Sequence, residues 1–205
     1  MTFGVNAVAP ILPEFLQAYP DIAIDLHLSD AMVDLIGEGF DAGLRIARLP
    51  DSSLIARRLC AVSRHTVAAP SYLKRYGRPT HPMHLAQHRC FGYAYMTTPD
   101  VWHYSNAGGE QASVRPAGQL RVNNGEALLP AVIAGLGIAD LPDFIVGDAI
   151  EAGEVEVILK GWKQPEGAVH LVTPPGGPRP ARVEVLADFL ASHFAKARRP
   201  KRRTG

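Results

Sequence analysis

From Val5 onward, apolar residues recur every three or four positions: Val8, Ile11, Leu12, Phe15, Leu16 and Tyr19 complete one stripe. That spacing predicts a helix over 5–19. Pro10 and Pro13 fit badly in a helix interior, so its first turns are expected to be irregular, and Pro20 ends it. The period then changes. Ile22, Ile24, Leu26 and Leu28 alternate with Ala23, Asp25 and His27, which predicts a strand with one buried face. Residues 32–39 predict a short helix stopped by glycine, and 42–47, 54–60 and 65–69 predict three further strands.

Pro70 marks a change. Residues 71–77 predict a helix that starts at a Ser71 cap, followed by an irregular stretch over 78–89. Residues 89–95 and 101–122 predict an antiparallel meander, turning at Gly108-Gly109 and at Pro116-Ala117-Gly118. A helix over 125–135 ends in Gly135-Leu136-Gly137. Strands are predicted at 138–142, 155–159 and 168–173, with a helix over 144–153. A long amphipathic helix over 181–197 carries Val183, Leu186, Leu190 and Phe194 on one stripe. Strands alternating with helices argue for an α/β protein with largely parallel sheets. Two such groups, before and after about residue 68, argue for two lobes, with the last helix returning to the first. Ligands of such proteins bind at helix N-termini and strand C-terminal ends.

Composition narrows the class. The chain has 205 residues, 47% hydrophobic and 20% charged, as in a soluble globular protein. No apolar run reaches the roughly 20 residues of a membrane span, and no signal peptide opens the chain, so a cytoplasmic location is expected. Cys60 and Cys90 make no disulfide framework. The net charge of +1 conceals an asymmetry. Six of the 21 Lys and Arg residues lie in the last ten positions, "KARRPKRRTG", leaving 15 against 20 acidic residues. The tail reads as a solvated end or as a weak contact for DNA or an acidic partner, and the acidic body is poor ground for a nucleic-acid surface on the fold itself.

Most candidate chemistry has a plainer explanation. His81, His84 and His88 suggest a metal, but Pro82 spoils a helical face and no second ligand pair is evident. Ser29, Ser52, Ser63 and Ser71 lack a G-x-S-x-G setting and suit caps and turns. No dinucleotide or phosphate-loop motif occurs. Nothing here supports an enzyme, and no cofactor is implied. Arg45 and Arg48 are candidates to reach a cleft or simply to be solvated at a strand end. The strongest signal is Asn123-Asn124-Gly125, a polar turn between a strand-like run and an apolar helix. Asn123-x-x-Glu126 reads as a variant capping box. The same turn, with the free N–H groups of residues 124–127 and the helix dipole, reads equally as an anion site.

The order of these motifs resembles the effector-binding domain of LysR-type transcriptional regulators. The likeness runs over residues 2–195 and is carried by "TFGVNAVAPILPEFLQAYPDIAIDLHLSD", "FDAGLRIARLPDSSLIARRL", "VAAPSYLKRYGRP", "NNGEALLPAVIAGLGIADLPDFIV" and the closing helix. It implies two Rossmann-like lobes with a cleft between them, a type II periplasmic-binding-protein-like fold. Lobe I would comprise 1–66 plus 168–205 and lobe II 67–167, with 65–69 and 168–173 as hinge strands. It implies a small-molecule effector, often a carboxylate, held by Thr2, Phe3, Ser29, Asp30, Leu49, Pro50, Ala69, Pro70, Asn123, Asn124 and Gly125. It also implies self-association as a homodimer, or a tetramer in full-length form, and no membrane partner. DNA contact is expected only through a winged helix-turn-helix that the family carries before the region matching Thr2. Its absence here implies a fragment or a frame begun at an internal Met. The other reading of the same fold is a free-standing solute-binding protein.

Overall fold

The computed structural model describes residues 1–47, 55–95, 101–176 and 179–197. In chain order the α-helices are α1 (Leu12–Ala18), α2 (Pro70–Tyr76), α3 (Leu129–Ile133), α4 (Asp143–Glu151) and α5 (Ala181–Ala197). The strands are β1 (Gly43–Ala47), β2 (Ile55–Val62), β3 (Arg64–Ala68), β4 (Gly92–Tyr93), β5 (Trp102–Asn106) and β6 (Gln111–Val114). They continue with β7 (Arg121–Val122), β8 (Ile138–Pro142), β9 (Glu156–Val157), β10 (Trp162–Lys163) and β11 (Gly167–Thr173). The chain divides into two compact units. The first joins Met1–Ala7, Leu28–Ala31 and Ser63–Glu166; the second joins Val8–His27, Met32–Val62 and Gly167–Gly205.

In the first unit, β3 lies between β8 and β9, antiparallel to both. All five residues of β8 are buried, which suits an apolar run covered on both faces. One side carries Val67, Leu128, Val132, Leu141 and Val146; the other carries Ala68, Tyr72, Leu85, Trp102 and Tyr104. β5 and β6 form the expected hairpin at Gly108-Gly109, where Gly109 has φ +82°. Their inward residues Trp102, Tyr104, Ala112 and Val114 alternate with exposed neighbours. Buried polar groups are mostly paired. Thr66 and Tyr104 share a hydrogen bond of 2.9 Å, and the Arg64 guanidinium grips the Asp140 carboxylate and donates to the Asp140 carbonyl at 2.8 Å.

In the second unit, β11 lies between β1 and β2, antiparallel to both, with a register break between Val169 and His170. α5 contributes Val183, Ala187, Leu190 and Phe194 to the core, and α1 contributes Phe15, which meets the Phe189 ring at 5.2 Å.

The ladders differ from the sequence expectation. Among the described residues, pairing is antiparallel except for the short β4–β7 ladder and two isolated bridges. Residues 22–28 join no ladder among the described residues, and β1 pairs with β11 from the far end of the chain. Residues 32–39 form a turn and no helix: Gly37 and Gly39 disfavour helix, and Gly39 adopts φ +74° as Phe40 N–H donates to Leu35 O at 2.9 Å. The segment before α1 is irregular as the prolines require, with a π turn at Gly4–Val8 and a 3-10 turn at Ala9–Ile11. α2 starts at Pro70 with Ala69 as its cap residue, so Ser71 is not the cap; proline suits the first helical position because its missing N–H needs no partner there.

Candidate functional site

Two segments far apart in sequence are tied to the turn at 123–125, all within the first unit. Asn124 is the cap of the short 3-10 helix Gly125–Leu128. Its Oδ1 accepts from the Glu126 N–H at 3.0 Å, leaving its amide NH2 to face segments distant in the sequence. The capping residue is therefore Asn124, one position later than the sequence suggests: its backbone is extended (φ −130°, ψ 123°) and its side chain takes the Glu126 N–H. Glu126 does not close a capping box. Its carboxylate instead accepts the Thr2 hydroxyl at 3.0 Å.

Asn124 Nδ2 donates to Asp30 at 2.7 Å and toward Thr2 Oγ1 at 3.2 Å. Asp30, Asn124, Thr2 and Glu126 thus form one continuous polar chain. Thr2 is buried, at 4% exposure, so its hydroxyl is held rather than hydrated. Beside this chain lies a cavity of about 220 Å³, lined by Ser29, Asp30, Tyr95, Asn123 and Asn124 with Met1, Leu28 and Ala31.

Tyr93 adds a second phenol near the site. Its ring meets that of Tyr95 edge-on at 6.0 Å. Burial pushes the Tyr93 hydroxyl up to about 12, the nearby Asp30 charge adds to this, and Arg64 opposes it. The phenol therefore stays protonated, a donor beside a carboxylate.

The expected site residues divide into groups. Ser29, Asp30, Asn123 and Asn124 line the cavity, and Thr2 is bonded into its wall. Ser29 Oγ accepts from the Ala31 N–H at 3.1 Å, which holds the loop. Phe3 packs edge-on against Phe144 at 5.2 Å, and Gly125 is buried where a Cβ would press on Ile145 at 3.2 Å. Ala69 and Pro70 start α2 and are not among the cavity residues. Leu49 and Pro50, with Arg48, fall outside the described residues. Arg45 donates to the Val33 carbonyl at 2.9 Å and so braces a loop of the second unit. Tyr93 and Tyr95 were not among the expected ligand contacts, and Glu126 was read only as a helix cap.

The three loop histidines have local work. His81 caps the 3-10 turn Pro82–Gln87, meets Glu110 at 3.3 Å and packs edge-on to Trp162. His84 Nδ1 lies 3.4 Å from the Thr80 N–H, and His88 meets the Tyr72 hydroxyl at 3.2 Å.

A small cavity edged by hydroxyls, amides and carboxylates, on a two-unit α/β framework, defines a small-ligand-binding domain. Comparison with known proteins supplies the family: residues 1–195 match the LysR substrate binding domain, and the chain belongs to that family. Its fold is the type II periplasmic-binding-protein-like fold. The regulatory domain of CrgA, a LysR-type transcriptional regulator from Neisseria meningitidis, is similar at 28% identity and a TM-score of 0.79, covering 95% of each chain. An HTH-type transcriptional regulator of Xanthomonas campestris pv. campestris is 35% identical over 94% of this chain and 57% of its own length. The HTH-type transcriptional activator AaeR of Escherichia coli is 31% identical over 95% of this chain and 63% of its own length. The chain thus spans about three fifths of these curated relatives. No helix among the described residues is long and apolar enough to cross a membrane.

Proposed function

We propose that this chain is the ligand-sensing part of a LysR-type transcriptional regulator acting in the cytoplasm. Its effector is a small metabolite bearing a carboxylate together with a hydroxyl or amino group. The observation that carries this reading is the polar chain Asp30–Asn124–Thr2–Glu126 beside the 220 Å³ cavity. The donors of Asn124 and Thr2, which now serve Asp30 and Glu126, would turn to the anionic group of the ligand on binding. The carboxylates of Asp30 and Glu126 would repel a bare anion, so the same ligand must bring a donor of its own. The ligand acts by binding one conformation better than another, and so shifts their populations. The regulator works as a homodimer, or a tetramer in full-length form, and reaches DNA through an N-terminal domain of the kind its longer relatives carry.

Thermal melting against a panel of hydroxy- and amino-carboxylates tests the reading. A true effector at 100 times its Kd stabilises the chain by about 2.7 kcal/mol. The shift is expected to vanish in Asn124→Ala and to be absent for the matching simple monocarboxylates. Turnover of any panel member would sink the sensing function.

A further inference from the structure

In the first unit, α2 carries an exposed face that the site at Asn124 does not use. Tyr72, Arg75 and Tyr76 are spaced three and four positions apart, so they share one side of the helix. Tyr72 is buried and its ring meets that of Tyr76 at 4.8 Å, while Tyr76 stays 41% exposed. Two guanidinium groups lie over the Tyr76 ring, Arg75 at 5.2 Å from its centre and Arg89 at 5.8 Å. The backbone fixes Arg89 in place: its N–H donates to the Tyr72 hydroxyl at 3.0 Å, and its carbonyl accepts from the Ile138 N–H at 2.8 Å. Leu136 extends the same face. It is 53% exposed and stands between two closely packed glycines. A Cβ on Gly135 would lie 2.5 Å from Ser71 Oγ in the first turn of α2, and one on Gly137 would lie 2.8 Å from the Arg89 carbonyl oxygen. The backbone at Leu136 is therefore set against both α2 and Arg89.

The charges of this face are not answered within the first unit. Lys74, Arg75 and Arg89 are exposed, and among the described residues their side chains have no carboxylate partner and no hydrogen bond. Arg78 nearby, by contrast, pairs with Glu156. Contact with a ring takes the flat face of a guanidinium and leaves its N–H donors, which lie in the plane, open to an acceptor. Two guanidiniums set on one ring have also lost part of their rotamer freedom before a partner arrives, which lowers the cost of binding a carboxylate. Tyrosine and arginine are the residues enriched where proteins bind one another. A nucleic acid suits this face less well. It calls for a track of many phosphate contacts, whereas three cations stand together here, on a body with 15 basic against 20 acidic residues.

We propose that this face is a docking surface for an acidic, amphipathic segment of a partner protein. Carboxylates of the segment pair with the guanidiniums of Arg75 and Arg89, Lys74 adds attraction at longer range, and an apolar side chain of the segment lies against Tyr76 and Leu136. The inference does not depend on the reading of the Asn124 site.

A short peptide with two leucines set among glutamates is a suitable probe, with glutamine for every glutamate as its neutral counterpart. In a two-dimensional amide NMR titration of the whole chain, the acidic peptide is expected to shift the resonances of Arg75, Tyr76, Arg89 and Leu136 in a saturable way. Following these amides separates the face from the basic last ten residues, which also attract acidic groups. Arg75→Gln with Arg89→Gln should weaken binding about tenfold or more, and Leu136→Ser about threefold. Arg58→Gln, at an exposed position of β2 in the second unit, should leave it unchanged. Three results would overturn the proposal: no shift at millimolar peptide, equal shifts from the glutamine peptide, or equal shifts at the same residues from an oligothymidylate of the same length. The last two comparisons use the unaltered chain, so they stand even if a variant folds poorly.

Discussion

Asn124 does two jobs at once, and replacing it with alanine or serine separates them. Its Oδ1 caps the 3-10 turn through the Glu126 N–H at 3.0 Å, and its Nδ2 holds Asp30 at 2.7 Å and Thr2 at 3.2 Å. Losing an Asn cap costs about 1 kcal/mol. A hydrogen bond to a charged acceptor is worth about 1.5–3 kcal/mol, and partial exposure of this one argues for the lower end. Asn124→Ala should therefore cost about 2.5 kcal/mol, whereas Asn124→Ser keeps a capping oxygen and should cost about 1.5 kcal/mol. At roughly 2–4 °C per kcal/mol for a chain of this size, alanine lowers Tm by roughly 5–10 °C and serine by roughly 3–6 °C. Calorimetry with urea unfolding followed by circular dichroism measures both. Asp30→Asn in the same background completes a double-mutant cycle, with an expected coupling above about 0.5 kcal/mol. Equal Tm values for alanine and serine would refute the capping role. Zero coupling to Asp30 would refute the polar chain on which the site is built.

Further expectations follow from other parts of the molecule. Tyr104→Phe strands the Thr66 hydroxyl in the core and should cost about 1–2 kcal/mol in urea unfolding. Val132 is fully buried, so Val132→Ala should cost about 2 kcal/mol through lost contacts and a cavity. Gly135 sits at φ +69° with Ser71 Oγ 2.5 Å from where a Cβ would stand, so Gly135→Ala should destabilise by more than about 1 kcal/mol, and Ser71→Ala should recover only the steric part. Burial pushes the Cys90 thiol up from 9.0 to about 12, so folded Cys90 holds its proton after the unfolded thiol has lost it. Stability is then intact below pH 9 and falls as pH rises toward 12, by at most about 1.4 kcal/mol per pH unit from this group. Cys90→Ala should flatten that alkaline slope, measured by urea unfolding at stepped pH.

Much of the architecture was legible in the chain itself. The stripe Val183–Leu190–Phe194 specified α5, residues Ile138–Pro142 read as a strand, and Gly108-Gly109 specified a hairpin. These are local properties: periodicity reports which face is buried, and glycine reports where φ must turn positive. Pro10 and Pro13 likewise announced the broken start of the first helix. Pairing was not local. Alternation at Ile22–Leu28 states a preference for extended backbone, but a strand needs a neighbour to share its ladder, and β1 pairs with β11, more than a hundred residues on.

The site shows the same division. A polar turn before an apolar helix marked residues 123–125 as unusual, and the order of motifs pointed to the family. Only the tertiary structure decided that Asn124, and not Asn123, is the cap, and that the freed amide meets Asp30 94 residues away. Only it brought Thr2 to Glu126 across 124 residues and so set carboxylates beside the donors. A hydrogen bond depends on distance and direction in space, and neither is written in the spacing of residues along the chain.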